Sequence, residues 1–209
     1  MTTLPALGPL LAGLLSKASV AVKFVIQQLP TIIEKIKPVV DVVMDIAKSL
    51  DMLSKYHSAT ELGDVILQAQ NDGVTLDSCN GDVEKYHQKI DKVDLSQEKT
   101  ALFSDNEKLS AGLLFIVAKL ETQLGADVGQ LIPLIYRNAD FFNADRLSAY
   151  VVASTKSDIS IGQICDYFSS NLDRKEAINV EGFLVGIESG LVVSKDIESV
   201  ISTVKNARE

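Results

Sequence analysis

The sequence predicts an all-α protein, a multi-helix bundle of about eight to ten helices. Apolar residues recur every three or four positions along most of the chain, which is the spacing that lets a helix bury one face. Several of these stretches begin with a Ser or Thr followed three residues later by Glu or Gln, a pattern that starts helices. Strand-like alternation of apolar and polar residues is nearly absent.

Composition indicates a globular protein with a real core. The chain has 209 residues, of which 46% are hydrophobic and 23% are charged. Its length suits one large domain or two small ones. Cys79 and Cys165 are its two cysteines, too few for a disulfide framework, so we expect a cytoplasmic protein with reduced thiols. Secretion is disfavoured because a signal peptide begins with a basic region, and the first base of this chain is Lys17.

Charge divides the chain into a basic beginning and an acidic remainder. The formal net charge is −8. Residues 1–50 hold five lysines and three acids, a net charge of +2, so the other 159 residues carry −10. Binding to a phosphate backbone needs clustered Lys and Arg, and nucleic acid is therefore disfavoured as a partner.

The first fifty residues form an apolar N-terminal arm. Prolines interrupt it, and we expect a long helical arm broken or kinked near Pro30 and Pro38. Thr31 and Glu34 have capping-box spacing, which predicts a helix from Thr31 to about Tyr56. Every seventh residue of the arm is apolar, which predicts an interaction face made of Leu4, Leu11, Ala18, Val25, Ile32, Val39, Ile46 and Leu53.

This arm carries the functional hypothesis. A seven-residue apolar repeat favours docking on a protein partner or on a second copy of the chain, and we expect a non-enzymatic interaction protein. Membrane activity is the alternative, since an apolar segment with interspersed lysines suits an interfacial or pore-forming helix, so association with a membrane surface stays open. Against it, no uninterrupted stretch is long enough to span a bilayer.

We expect three regions along the chain. Residues 1–71 form the apolar helical arm or hairpin, which includes a helix that Ser58 and Glu61 begin and Asn71–Gly73 ends. Residues 72–104 form a polar connector with a short charged helix around 83–93. Residues 105–209 form a C-terminal helical domain.

The C-terminal region predicts one long helix and four or five shorter ones. Ser104 and Glu107 form a capping box before the long helix, and Ser160 and Gln163 form another. Asn143 is a predicted N-cap. The apolar stripe of the long helix consists of Leu109, Leu113, Ile116, Val117, Leu120 and Leu124.

No catalytic, metal-binding or cofactor-binding residue is predicted. The chain contains no phosphate-loop, dinucleotide, zincin or hydrolase motif. Both histidines follow Lys-Tyr, in Lys55–His57 and Lys85–His87, and with Cys79 they allow a zinc hypothesis. The spacing matches no compact zinc signature, so exposed or capping histidines are the preferred interpretation. Cys79 lies in a turn-like stretch that would expose its thiol.

A further alternative rests on residues 159–192. The segment Ile159–Phe168, a short turn and a helix ending in Glu188–Val192 resemble helix-turn-helix and winged-helix domains in their spacing. The resemblance implies DNA binding by the second helix. Six acids and only two bases between Asp158 and Val193 oppose it, and we prefer two helices that pack in the bundle.

Overall fold

The computed structural model describes residues 20, 23–24, 33–191 and 196–208. These residues form ten α-helices and two short 3-10 turns, with no strand among them, so the all-α prediction is confirmed. The helices are α1 (Ile33–Ser49), α2 (Ala59–Asn71), α3 (Val83–Ile90), α4 (Gln97–Thr100), α5 (Asp105–Leu124), α6 (Ile132–Arg137), α7 (Ala144–Ser154), α8 (Ile161–Phe168), α9 (Arg174–Leu191) and α10 (Ile197–Asn206). The 3-10 turns are Asp77–Cys79 and Val128–Leu131.

Helix α1 runs through Pro38 and ends earlier than the sequence predicts. The prediction placed its end near Tyr56, but the helix stops at Ser49. Asp51 has a φ of 55°, and this left-handed backbone follows the last turn of the helix. Leu53 is buried after the turn rather than on the helix. The predicted break near Pro30 lies outside the described residues.

Helix α5 is the centre of the bundle. Its N-terminus carries the predicted capping box, with Ser104 accepting from the Glu107 amide and Glu107 accepting from the Ser104 amide. Its C-terminus has Gly125 at a φ of 61°. Every residue from Leu109 to Leu120 is buried, so the predicted single stripe was too narrow. Helices α1, α2 and α3 pack against α5 and cover its sides.

Two glycines set the distance between α2 and α5. A Cβ atom at Gly63 would overlap the backbone carbonyl of Lys108, and one at Gly112 would overlap that of Ala59. The two helix backbones therefore approach more closely than any side chain at these positions would allow. This contact joins the predicted N-terminal region to the predicted C-terminal domain.

One hydrophobic core contains buried residues from all three predicted regions. Val39 on α1, Tyr86 on α3 and Phe142 before α7 are each fully buried within it. The short helix of the connector is present as α3, capped by Asp82, whose side chain accepts from the Lys85 amide. The connector therefore packs on the bundle through α3.

The C-terminal helices begin at their predicted caps. Asn143 accepts from the Arg146 amide at the start of α7, and Ser160 and Gln163 form both bonds of their capping box at the start of α8. Glu188 of α9 is buried and receives hydrogen bonds from Arg146 at 2.5 Å and from Tyr150 at 2.6 Å. These hydrogen bonds hold α9 against α7.

Candidate functional site

A groove lies where α5 ends and α8 begins. It is open on one side, with a volume of about 800 Å³. Its walls come from the last turn of α5, the connection to the second 3-10 turn, the end of α7 and the first turn of α8. The lining residues are Glu121, Thr122, Leu124, Gly125, Ala126, Asp127, Gln130, Ser154, Thr155, Ser157, Asp158, Ile159, Ser160, Ile161 and Gly162.

Glu121 is the chemically unusual residue of this groove. Its Oε1 accepts a hydrogen bond from the Gly129 amide at 2.8 Å, while Oε2 is buried without a hydrogen-bond partner. Burial raises the pKa of Glu121 to about 7, the Gly129 bond opposes the rise, and the nearby Asp127 adds to it. The carboxyl group therefore exchanges its proton close to neutral pH.

Two further carboxylates line the groove, on Asp127 and Asp158. Asp127 accepts from the side-chain amide of Gln130 at 2.9 Å. Asp158 is exposed. No Lys, Arg or His is among the lining residues, and no ion pair within the described part of the chain reaches these three acids. The groove therefore carries negative charge with no balancing base in its wall.

The wall beside Gln130 is held in place by α8. The Cys165 thiol donates to the backbone carbonyl of Gln130 at 3.3 Å, and burial raises its pKa to about 12. A Cβ atom at Gly162 would come within 3.1 Å of the Gln130 side-chain oxygen, so the absence of a side chain there leaves room for the amide. Cys165 is half-buried and has a packing role, as its apolar surroundings predict.

A second group of polar side chains surrounds Lys119, which we call the Lys119 cluster: Lys119, Glu84, His87, Asp91, Tyr56, Lys55 and Gln123. The ammonium of Lys119 has 4% side-chain exposure and donates to both Glu84 oxygens, at 2.7 and 2.6 Å. It also lies 3.0 Å from Nδ1 of His87. Gln123 donates to Glu84 as well, at 2.8 Å.

The pKa values in this cluster follow from that pairing. Burial alone would raise the pKa of Glu84, but the bonds from Lys119 and Gln123 outweigh it and hold the pKa below the ordinary value. Burial, and then the Lys119 charge, lower the pKa of His87. At neutral pH the cluster therefore holds an anionic glutamate and an uncharged imidazole beside Lys119.

Asp91 closes the other side of the cluster. It accepts from the Tyr56 hydroxyl at 2.5 Å, and burial followed by this bond raises the pKa of Tyr56. Nε2 of His87 lies 3.6 Å from the Asp91 carboxylate, a distance too long for a hydrogen bond, and is otherwise unpartnered. The cluster joins α3 to α5 and to the segment after α1, and every charged group in it faces an opposite charge.

The two Lys-Tyr-His tripeptides meet in an unexpected way. The ring of Tyr56 from the first lies 6.3 Å from the ring of His87 in the second. His57 is exposed, as predicted, but His87 is half-buried, so the prediction of an exposed or capping residue was wrong for it. Cys79 is buried, which removes the predicted exposed thiol. No group of three metal-ligating side chains comes together in the part of the chain that the structure describes.

The predicted interaction face is divided by the fold. Val39, Ile46 and Leu53 are buried in the chain's own core, with exposures of 0%, 0% and 1%. The remaining residues, Leu4, Leu11, Ala18, Val25 and Ile32, lie outside the described residues. Sequence periodicity alone gives the same signal for a core-facing helix and for an interface. Val39, Ile46 and Leu53 belong to the core.

Comparison with known proteins adds no family. No protein-family model, no curated protein and no solved structure matches the chain. Among the helices that the structure describes, none combines the length and apolar character needed to cross a bilayer.

Proposed function

We propose that this chain is a non-enzymatic helical interaction protein, in which α1 anchors the N-terminal segment and the residues before α1 dock on a protein partner or on a second copy. The observation that supports this is the burial of Val39, Ile46 and Leu53. Their burial ties the second half of the apolar repeat to the body. The proposal assigns docking to the first half of the repeat, from Leu4 to Ile32.

A contact before α1 supports the same assignment. Phe24 is 8% exposed, and its ring meets the ring of Tyr136 on α6 edge-on, with centroids 5.3 Å apart. Tyr136 keeps 37% of its surface exposed, and Lys23 is exposed beside Phe24. An aromatic pair of this geometry contributes roughly 0.5–1.5 kcal/mol beyond its burial. Phe24 thus gives this part of the chain a second attachment point on the body, beside a partly exposed tyrosine.

Charge favours a protein partner with acidic character. The first 32 residues hold Lys17 and Lys23 and no acidic residue, while the chain as a whole is at −8. The body of a second copy has the complementary sign, so self-association would be assisted by attraction and weakened by salt.

A pair of substitutions separates docking from folding. Val25→Asp, in the first half of the repeat, is expected to lower the mass measured by light scattering while circular dichroism and the urea midpoint stay unchanged. Val39→Asp places a charge in the core and is expected to abolish cooperative unfolding. If Val25→Asp and Ile32→Asp both leave the assembly mass and partner binding intact, the docking proposal fails.

Removal of residues 1–30 tests the same idea on a larger scale. The shortened chain is expected to remain helical and to lose self-association or partner binding. Vesicle flotation with anionic lipids is run in parallel on the full chain. If the full chain floats and the shortened chain does not, while protein association is unaffected, the segment is a membrane anchor and the docking proposal is wrong.

A further inference from the structure

Glu121 is bonded to the chain that follows α5 through both its backbone and its side chain. Its backbone carbonyl accepts from the Gly125 amide at 3.0 Å, and its Oε1 accepts from the Gly129 amide at 2.8 Å. Residues 125–131 connect α5 to α6, and we call them the α5–α6 connection. We propose that Glu121 is a proton-controlled latch: its protonated carboxyl group keeps the α5–α6 connection closed on α5, and its ionisation lets the connection open locally. This inference does not depend on the proposed docking.

The surroundings of the Glu121 side chain oppose a negative charge. Its Oε2 is buried, and no hydrogen-bond partner for it is present among the described residues. An ionised oxygen in that position lacks the donors that water would supply. The Gly129 bond favours the ionised form, but burial outweighs it, and the like charge of Asp127 acts in the same direction as burial. The closed connection therefore holds the protonated form better than the ionised form.

No base offsets this effect at the groove. The other titratable groups that line it are Asp127, on the α5–α6 connection, and Asp158, in the loop between α7 and α8. No Lys, Arg or His is among the lining residues. Lys119, two positions before Glu121 on α5, is already paired with Glu84. An ionised Glu121 is therefore stabilised by reaching water, which requires the connection to move.

The direction of the pH dependence follows from the two states. In the open state the Glu121 carboxyl group meets water and takes its ordinary pKa of 4.5, whereas in the closed state its pKa is about 7. The open population therefore grows as the pH rises from 4.5 to about 7 and is constant above. Because the side chain is partly screened by solvent, we expect an increase of about fivefold.

Opening of the connection reaches α8 through Cys165. The Cys165 thiol donates to the backbone carbonyl of Gln130, which belongs to the second 3-10 turn, at 3.3 Å. Movement of this turn breaks that bond and exposes the thiol to solvent. Cys79, the other cysteine, is buried in the first 3-10 turn and has no part in the connection. The two thiols therefore report on the latch and on an unrelated part of the same molecule.

The test alkylates the full chain with iodoacetamide at pH values from 5.5 to 8 and measures both cysteines by mass spectrometry. Cys79 corrects for the general rise of thiol reactivity with pH. In the natural chain the ratio of Cys165 to Cys79 labelling is expected to rise about fivefold. In Glu121→Gln the ratio is expected to stay constant. Asp158→Asn, which removes an exposed acid of the same groove, is the matched control and is expected to keep the rise.

Two further measurements on the isotopically labelled natural chain separate the alternatives. The Glu121 carboxyl carbon is expected to titrate near pH 7, and hydrogen-exchange protection is expected to fall at Gly129 but not at Leu113 in the middle of α5. Titration near 4.5, or titration near 7 with a constant labelling ratio, would overturn the proposal. An equal loss of protection at Leu113 would assign the change to global unfolding and would also overturn it.

Discussion

Lys119 and Glu121 lie two positions apart near the end of α5 and differ in how completely their charged groups are hydrogen-bonded. Lys119 is buried against α3, and Glu84 and His87 occupy its donor positions at 2.6 to 3.0 Å. Glu121 faces the connection to the second 3-10 turn, where Gly129 satisfies only one of its oxygens. The comparison shows that one helix can carry both an ion-paired lysine and a carboxyl group with only one of its oxygens hydrogen-bonded.

The difference teaches where function is to be sought in this molecule. A buried charge with all its partners fixes the position of a neighbouring element, here α3 on α5. A partly buried carboxyl group with one oxygen lacking a hydrogen-bond partner keeps the capacity to gain or lose a proton near neutral pH. The Lys119 cluster therefore holds α3 on α5, and Glu121 is the group near the end of α5 whose protonation changes near neutral pH.

The largest change in the free energy of unfolding is expected from removing Lys119, the ion-paired residue. Lys119→Ala leaves Glu84 and His87 without their shared donor and leaves a cavity beside α3, and we expect a loss of about 2–3 kcal/mol in the free energy of unfolding. Urea denaturation followed by circular dichroism measures it. Lys119→Met fills the space without the charge and is expected to recover at least half of the loss. Equal losses for the two variants would show that the lost charge pairing decides and that the filled space contributes nothing.

The next effect concerns Glu121, whose Oε2 has no hydrogen-bond partner. The pKa of Glu121 is about 7 in the folded chain, above the ordinary value of 4.5, so the folded state keeps a proton that the unfolded state has lost. Its contribution is therefore greatest below pH 4.5, falls as pH rises to about 7, and is constant above.

Glu121→Gln keeps an acceptor for the Gly129 amide without this pH dependence. We expect the variant to be more stable than the natural chain by about 1 kcal/mol at pH 8, with partial solvent screening taken into account. The gain should disappear toward pH 4.5. Urea midpoints at several pH values measure it, and a variant that is less stable at pH 8 would contradict the assignment.

The smallest effect is expected from His87. Its folded pKa lies below the ordinary value of 6.5, so the unfolded state binds the proton first as pH falls. The free energy of unfolding therefore decreases as pH drops below 6.5, by less than about 1 kcal/mol. His87→Gln should remove this part of the acid slope. His57→Gln, at the exposed histidine of the other tripeptide, is the matched control, and an equal change there would contradict the role of the cluster.

Local features of the fold were accessible from the sequence, because caps act within three residues. Ser104 with Glu107, and Ser160 with Gln163, identified the starts of α5 and α8. Glu61 shows the limit of that logic, because the Ser58 side chain accepts from the Glu61 amide as expected, but the Glu61 carboxylate accepts from the amide of His57 instead. Apolar spacing located the helices even where their ends shifted.

The candidate site was not accessible from the sequence, because distant segments build it. Glu121 follows an apolar stripe and looks like an ordinary surface residue in the sequence, and its raised pKa comes from burial in the folded chain and from the nearby Asp127. Lys119 pairs with Glu84, which is 35 residues away, and no spacing rule links the two. The full burial of α5 likewise depends on α1, α2 and α3 packing around it.

The paired glycines of α2 and α5 determine which turns of the two helices face each other. Because Gly63 and Gly112 bring backbone against backbone, a shift of α2 along α5 by one turn would place a side chain against the opposite carbonyl. The register of α2 along α5 therefore depends on the absence of two side chains.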